Sequence, residues 1–320
     1  MKSIWALKAV RMGTIGMALL SMVPHSASQG HDAGELRLLA ITRSPGHFVA
    51  VGSNGVIRRS EDARTWSSQR AVTDAHLRGV AFGDGRFVAV GDGGTLVTGA
   101  EGADWQRLEP LGSNTLRHVT FGRGQFIAVG DEGVILSSMD GLHWRRFRSP
   151  TTANLRSVVY GSGRFLAVGQ GGAIVTSYGG YKSWTRVNSG TESCLRGVAY
   201  GNGVFVAVAP NSSVLTSGDG LSWSRQSSDA YLYSVTFTGR EFVAVGCSGR
   251  TASSRDGQTW RRLEQEGRAD LVSVAGSPER LVAVGGAGPI LLSSAESPGP
   301  IVSFETPKSG IDDNGKIADK

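Results

Sequence analysis

Five arginines recur at one position of a repeating pattern. Each follows the leucine that opens a repeat: Arg37, Arg78, Arg117, Arg156 and Arg196, with Tyr233 and Val272 in the last two copies. A planar guanidinium meets carboxylate or phosphate oxygens two at a time, so arginines at one height around a fold are suited to hold an anion. Hairpin register sets Asp92 and Asp131 beside Arg78 and Arg117, whereas the matching positions for Arg37, Arg156 and Arg196 are Ser53, Gln170 and Pro210. Three arginines thus lack an acid. Exposed ion pairs contribute only about 0–1 kcal/mol each, so the row does not exist chiefly for stability. The expected binding face is therefore Arg37, Arg78, Arg117, Arg156, Arg196 and Tyr233, and its expected ligand an acidic peptide segment or a small anion.

The remaining reactive side chains form no catalytic pattern. His31, His47, His76, His118 and His143 show no spacing suited to zinc. The chain has no Gly-x-Ser-x-Gly nucleophile elbow, no phosphate loop leading into a helix and no Asp-x-Asp-x-Asp calcium loop. No catalytic residue, metal or cofactor is expected. Cys194 and Cys247 are the only cysteines, too few for a disulfide framework, and are compatible with one disulfide or with two thiols.

The elements that carry the arginines are strands. Leu77-Arg-Gly-Val-Ala-Phe-Gly-Asp-Gly-Arg-Phe-Val-Ala-Val-Gly91 recurs from Leu116, Leu155 and Leu195, with looser copies from Leu36, Leu232 and Leu271. The starts are 41, 39, 39, 40, 37 and 39 residues apart, and the copies end at Gly52, Gly91, Gly130, Gly169, Ala209, Gly246 and Gly285. Each unit reads as four short runs of strand composition broken by glycine turns, with no helical period. The arithmetic is that of an all-β fold, a seven-bladed β-propeller with four antiparallel strands per blade. The first strand of each blade, bearing the arginine, then lines the central channel. A second set, Arg107, Arg146, Arg186, Arg225 and Arg262, falls on the outermost strand, where charge discourages edge-to-edge pairing.

Composition agrees with a folded, turn-rich chain. Of 320 residues 46 are glycine, 10 proline and 19% charged. The net charge is +6, but Lys2, Lys8 and Arg11 stand in the first 28 residues, which contain no acid, so the remainder has 30 basic against 27 acidic side chains. That balance argues against nucleic acid as the partner. The same 28 residues read as a basic start, the apolar run Met12 to Val23, then Pro24 and small residues ending at Ser28, the layout of a secretory signal peptide. The expected organisation is a signal peptide over 1–28, the propeller over 29–304 and a polar tail over 305–320. The mature protein is expected to be periplasmic or secreted, monomeric and without a transmembrane segment.

Six tryptophans fall in register, at Trp66, Trp105, Trp144, Trp184, Trp223 and Trp260, and are expected to fill the wedges between blades. Four follow a Ser-x-Asp turn: Ser60/Asp62/Trp66, Ser138/Asp140/Trp144, Ser217/Asp219/Trp223 and Ser254/Asp256/Trp260. The turn carboxylate is expected to accept backbone N–H groups, a structural role. Glu101 and Gly179-Gly180 occupy the equivalent turns in two further units, and the last unit lacks the tryptophan. Either Ile301-Val-Ser-Phe304 or a strand just after the signal closes the final blade.

With this order of motifs the chain resembles the Asp-box (BNR-like) propellers, most closely the photosystem II stability/assembly factor-like family, over about Leu36 to Phe304. The resemblance implies an exported, non-catalytic scaffold that helps assemble a larger complex, with a protein partner in the cell envelope. The alternative is an Asp-box glycan-active protein, a sialidase-like glycoside hydrolase or a lectin. Arg43-Ser44-Pro45 is similar to the sialidase Arg-x-Pro element, but in repeat register it is a hairpin turn.

Overall fold

Runs such as Phe-Val-Ala-Val-Gly are apolar on both faces, which suits a strand with neighbours on either side. The computed structural model describes residues 37–180, 183–227, 231–263, 269–286 and 288–293, and there these runs are second strands, buried along their length at Phe48–Gly52 and Phe242–Gly246. Each is paired to a first strand through a tight hairpin. In the second unit the hairpin turns at Asp84 and Gly85, with φ of 47° and 70°, the doubly positive geometry whose twist matches antiparallel strands and favours glycine at the second position.

Six blades have four antiparallel strands each, in sequence order from the centre outwards. Their first strands are Leu38–Arg43, Leu77–Gly83, Leu116–Gly122, Leu155–Gly161, Gly197–Gly201 and Leu232–Phe237. The expectation of seven four-stranded blades is corrected here. The last sheet has three strands among the described residues, Leu271–Ser277, Arg280–Gly285 and Gly288–Ser293. The leading hairpin, which sets the repeat count, does not specify a fourth strand; in the six blades that strand follows a tryptophan, which the last unit lacks. The proposed closing run at 301–304, the signal segment 1–28 and the tail 305–320 lie outside the described residues. Among those residues no helix is long and apolar enough to cross a membrane.

The first strands pack side by side in a ring, which closes where Leu38–Arg43 meets Leu271–Ser277; there the Ile41 N–H donates to Ser273 Oγ at 3.3 Å. The core consists of wedges between sheets. Phe87 is fully buried against Phe82, ring centroids 4.7 Å apart, and Trp105 packs on Phe87 and on Val49 and Val51 of the preceding blade. Trp144 repeats this against Val88 and Val90, and Trp260 against Val206 and Val208. Each tryptophan thus buries apolar surface shared by two blades.

Candidate anion-binding mouth of the channel

The first strands surround a channel of about 520 Å³, whose lining includes Arg78, Arg117, Arg156, Arg196 and Tyr233. Four consecutive blades therefore bring an arginine to one end of the channel, and the sixth brings a tyrosine. Leu39 and Val272 line the opposite arc, so the mouth is cationic on one side and apolar on the other.

Arg37 is not part of it. It is exposed just before the first strand, and its carbonyl accepts the Ser53 N–H at 2.8 Å. In the second blade the His76 carbonyl makes that bond, to Asp92 N–H at 3.0 Å. Strand pairing agrees: Leu38 stands opposite Gly52 as Leu77 stands opposite Gly91. Arg37 is thus the counterpart of His76, and Leu39 that of Arg78. The leading Leu36-Arg37 pair mimics the repeat start but lies two residues ahead of the true register.

The expected carboxylate partners are in place. Arg78 holds Asp92 with two bonds, from Nε and, at 2.9 Å, from a terminal nitrogen; Arg117 holds Asp131 likewise, the second bond at 2.7 Å. Burial pushes the Asp92 carboxyl upward, but the bond and charge of Arg78 outweigh it and keep its pKa below the ordinary value. Arg156 and Arg196 have no carboxylate partner among the described residues. Arg156 Nε is buried without a hydrogen-bond acceptor. Burial, then the charges of Arg117 and Arg196, lower the Arg156 pKa, the signature of a cation crowded by its own kind. Arg196 is exposed and lies over the Tyr233 ring, 4.5 Å from its centroid.

Two residues at this mouth went unrecognised in the sequence. Cys247 occupies the turn position of Asp92 and shares a hydrogen bond with Tyr233; burial first, then that bond, raise the Tyr233 pKa. His118, next to Arg117, accepts the Val158 N–H of the following blade at 3.3 Å. Ser157 does the same for Val198 one blade on, also at 3.3 Å, so a polar acceptor here joins neighbouring blades. Cys194 and Cys247 are both free and half-buried. Among the described residues no cluster of three potential metal ligands occurs.

The Ser-x-Asp turns join third to fourth strands and so lie at the opposite end of the blades from the arginines. In the first, Asp62 Oδ1 accepts the Ser60 hydroxyl at 3.0 Å and the N–H groups of Arg64 and Thr65 at 2.8 and 2.7 Å, while Trp66 donates to the Ala63 carbonyl at 3.2 Å. Asp140, Asp219 and Asp256 repeat the clip with Ser138, Ser217 and Ser254 at 3.0, 3.0 and 2.9 Å. Backbone donors lower the Asp219 and Asp256 pKa values to about 2. Such fully engaged carboxylates are fasteners for the backbone.

No protein-family model matches the chain, and no curated protein matches it. Solved structures do. YCF48 bound to D1 peptide superposes with a TM-score of 0.68 at 18% identity, over 84% of this chain and 95% of that one. YCF48 from Cyanidioschyzon merolae gives 0.66 at 18%, over 83% and 97%, and the WD40 β-propeller domain of Doa1 gives 0.64 at 11%, over 81% and 93%. At such identities the likeness is one of fold, a β-propeller, and at that level it agrees with the assembly-factor resemblance of the repeats.

Proposed function

We propose that this chain is a non-catalytic binding scaffold whose channel mouth takes an acidic peptide segment or another anionic ligand. The observation that carries the reading is the split among the arginines: Arg78 and Arg117 are neutralised within their own blades, whereas Arg156 and Arg196 line the mouth with no carboxylate partner among the described residues. A carboxylate arriving from outside would complete the pattern that Asp92 and Asp131 begin. That a similarly folded YCF48 has been solved with a D1 peptide bound supports a peptide as the ligand. The apolar arc at Leu39 and Val272 suits a segment that carries apolar side chains beside its acids.

A glycoside hydrolase works with a pair of carboxylates around the scissile bond, and no Asp or Glu is among the residues lining the channel. That favours binding over sugar hydrolysis. The signal-like first 28 residues support a periplasmic or secreted location, where an envelope protein is the proposed partner.

The test is fluorescence anisotropy with a labelled glutamate-rich peptide, comparing the wild-type chain with Arg156→Ala/Arg196→Ala. Hydrogen bonds to charged groups contribute about 1.5–3 kcal/mol each, so the double variant should bind at least tenfold more weakly. Binding should also weaken with salt. Equal affinity in both proteins would remove the channel mouth from the function.

A further inference from the structure

The acidic residues are distributed unevenly along the chain. From Gly141 to Thr191 there is no Asp or Glu, while the same stretch carries six arginines and Lys182. It covers the outer strand of the third blade, Arg145–Phe147, and the whole of the fourth. The fold therefore has one sector in which cations meet no acid of their own segment.

Within that sector the crease between the two blades is open. A cleft of about 740 Å³ is lined by Phe147, Arg148 and the linker 149–152 on one side, and by Ser183, Trp184 and Arg186 on the other. That is within the usual size range of small-ligand sites. Arg148 and Arg186 are exposed, and neither side chain has an ion pair or hydrogen bond among the described residues. No carboxylate lines the cleft.

Neighbouring creases lack this combination. Between the second and third blades, Leu111, Gly112 and Asn114 close against Arg146 and leave about 10 Å³. Between the fourth and fifth, Glu192 lines the cavity with Arg225, and Arg225 already donates to Ser213 Oγ at 3.2 Å.

Trp184 stands in the wall of the cleft between the third and fourth blades and is only 4% exposed.

We propose that the crease between the third and fourth blades is a second anion site, independent of the channel mouth. Its ligand is a small organic anion: Arg148 and Arg186 hold a carboxylate, sulfate or phosphate group, the linker hydroxyls of Ser149, Thr151 and Thr152 flank it, and Phe147 meets its apolar body.

The indole N–H of Trp184 gives a direct reading by two-dimensional NMR of the folded chain, with the peak assigned through bonds so that the buried ring stays intact. The probes are sodium sulfate and sodium glucuronate, which separate a bare oxyanion from one on a sugar body, against glucose and against sodium chloride at matched ionic strength. A saturable shift of the Trp184 peak with either anion, absent with glucose and chloride, is the expected result. It should vanish in Arg148→Gln/Arg186→Gln and persist in Arg156→Gln, which alters only the channel mouth. No saturable shift with either anion, an equal shift with chloride, or a shift that survives Arg148→Gln/Arg186→Gln would overturn the proposal.

Discussion

The guanidinium of Arg196 lies 4.5 Å from the centre of the Tyr233 ring in the next blade, so the last arginine of the cationic arc is held in place by the first residue that breaks the series. At an exposed site such a contact contributes about 0.5–1 kcal/mol. Tyr233→Phe keeps the ring and should leave glutamate-rich peptide affinity within roughly twofold of wild type, whereas Tyr233→Ala releases Arg196 and should weaken it several-fold. Anisotropy titrations of the three proteins decide it; matched affinities for Phe and Ala would mean that the ring does not position the arginine for binding.

Asp92 and Asp131 compete with any external acid for Arg78 and Arg117. Asp92→Asn should free Arg78 and raise peptide affinity several-fold. The Arg78–Asp92 side chains are 33% and 30% exposed, so the stability lost with the pair should be at most about 1 kcal/mol. A peptide that binds Asp92→Asn more weakly than wild type would show that Arg78 does not face the ligand.

His118 should make the protein sensitive to mild acid. Burial lowers its pKa to about 4, and the ring nitrogen that accepts the Val158 N–H can do so only while it carries no proton. The unfolded chain takes up this proton near pH 6.5, so between about 6.5 and 4 it binds more protons than the folded one, and stability falls with pH by up to roughly 3 kcal/mol. Ser157 and Ser273 make the equivalent bond between blades, so His118→Ser should preserve the fold and flatten stability over this window. Below pH 4 both proteins should lose a further increment as the Asp219 and Asp256 clips, with pKa values of about 2, take up protons. Denaturant titrations from pH 7 to 4 with identical slopes for the two proteins would sink the assignment.

Gly161 allows two blades to approach closely. A Cβ on it would lie 2.1 Å from Cγ of Tyr200 in the next blade. Overpacking of this kind costs about 1–3 kcal/mol, so Gly161→Ala should lower the melting temperature by several degrees. Adding Tyr200→Ala should destabilise the Gly161→Ala protein by less than it destabilises the wild type, because there the loss of the ring also relieves the clash. Additive losses would indicate that the two residues do not meet.

Much of this was legible from local pattern. The alternation in Leu77 to Gly91 and its central Asp-Gly fix a hairpin, and the hairpin in turn fixes Arg78 beside Asp92. Six tryptophans at one phase mark the wedges. Misreadings arose where a local resemblance competed with register. Leu36-Arg37 looks like Leu77-Arg78, yet Gly52, the fixed end of the second strand, counts back to Leu39 as Gly91 counts back to Arg78. The count of four-stranded blades erred similarly, because a leading hairpin says nothing of the outer strand.

By itself the sequence determined the repeat, the strand composition, the turn carboxylates and the arginines paired within their own blades, because these follow from side-chain alternation and turn chemistry over a few residues. Only the tertiary structure decided where the ring closes, which arginines converge without an acid, that Tyr233 braces Arg196, and that one crease stays open while its neighbour closes. Those relations join residues from different blades, and the packing that sets their distances is not written in the spacing of any single repeat.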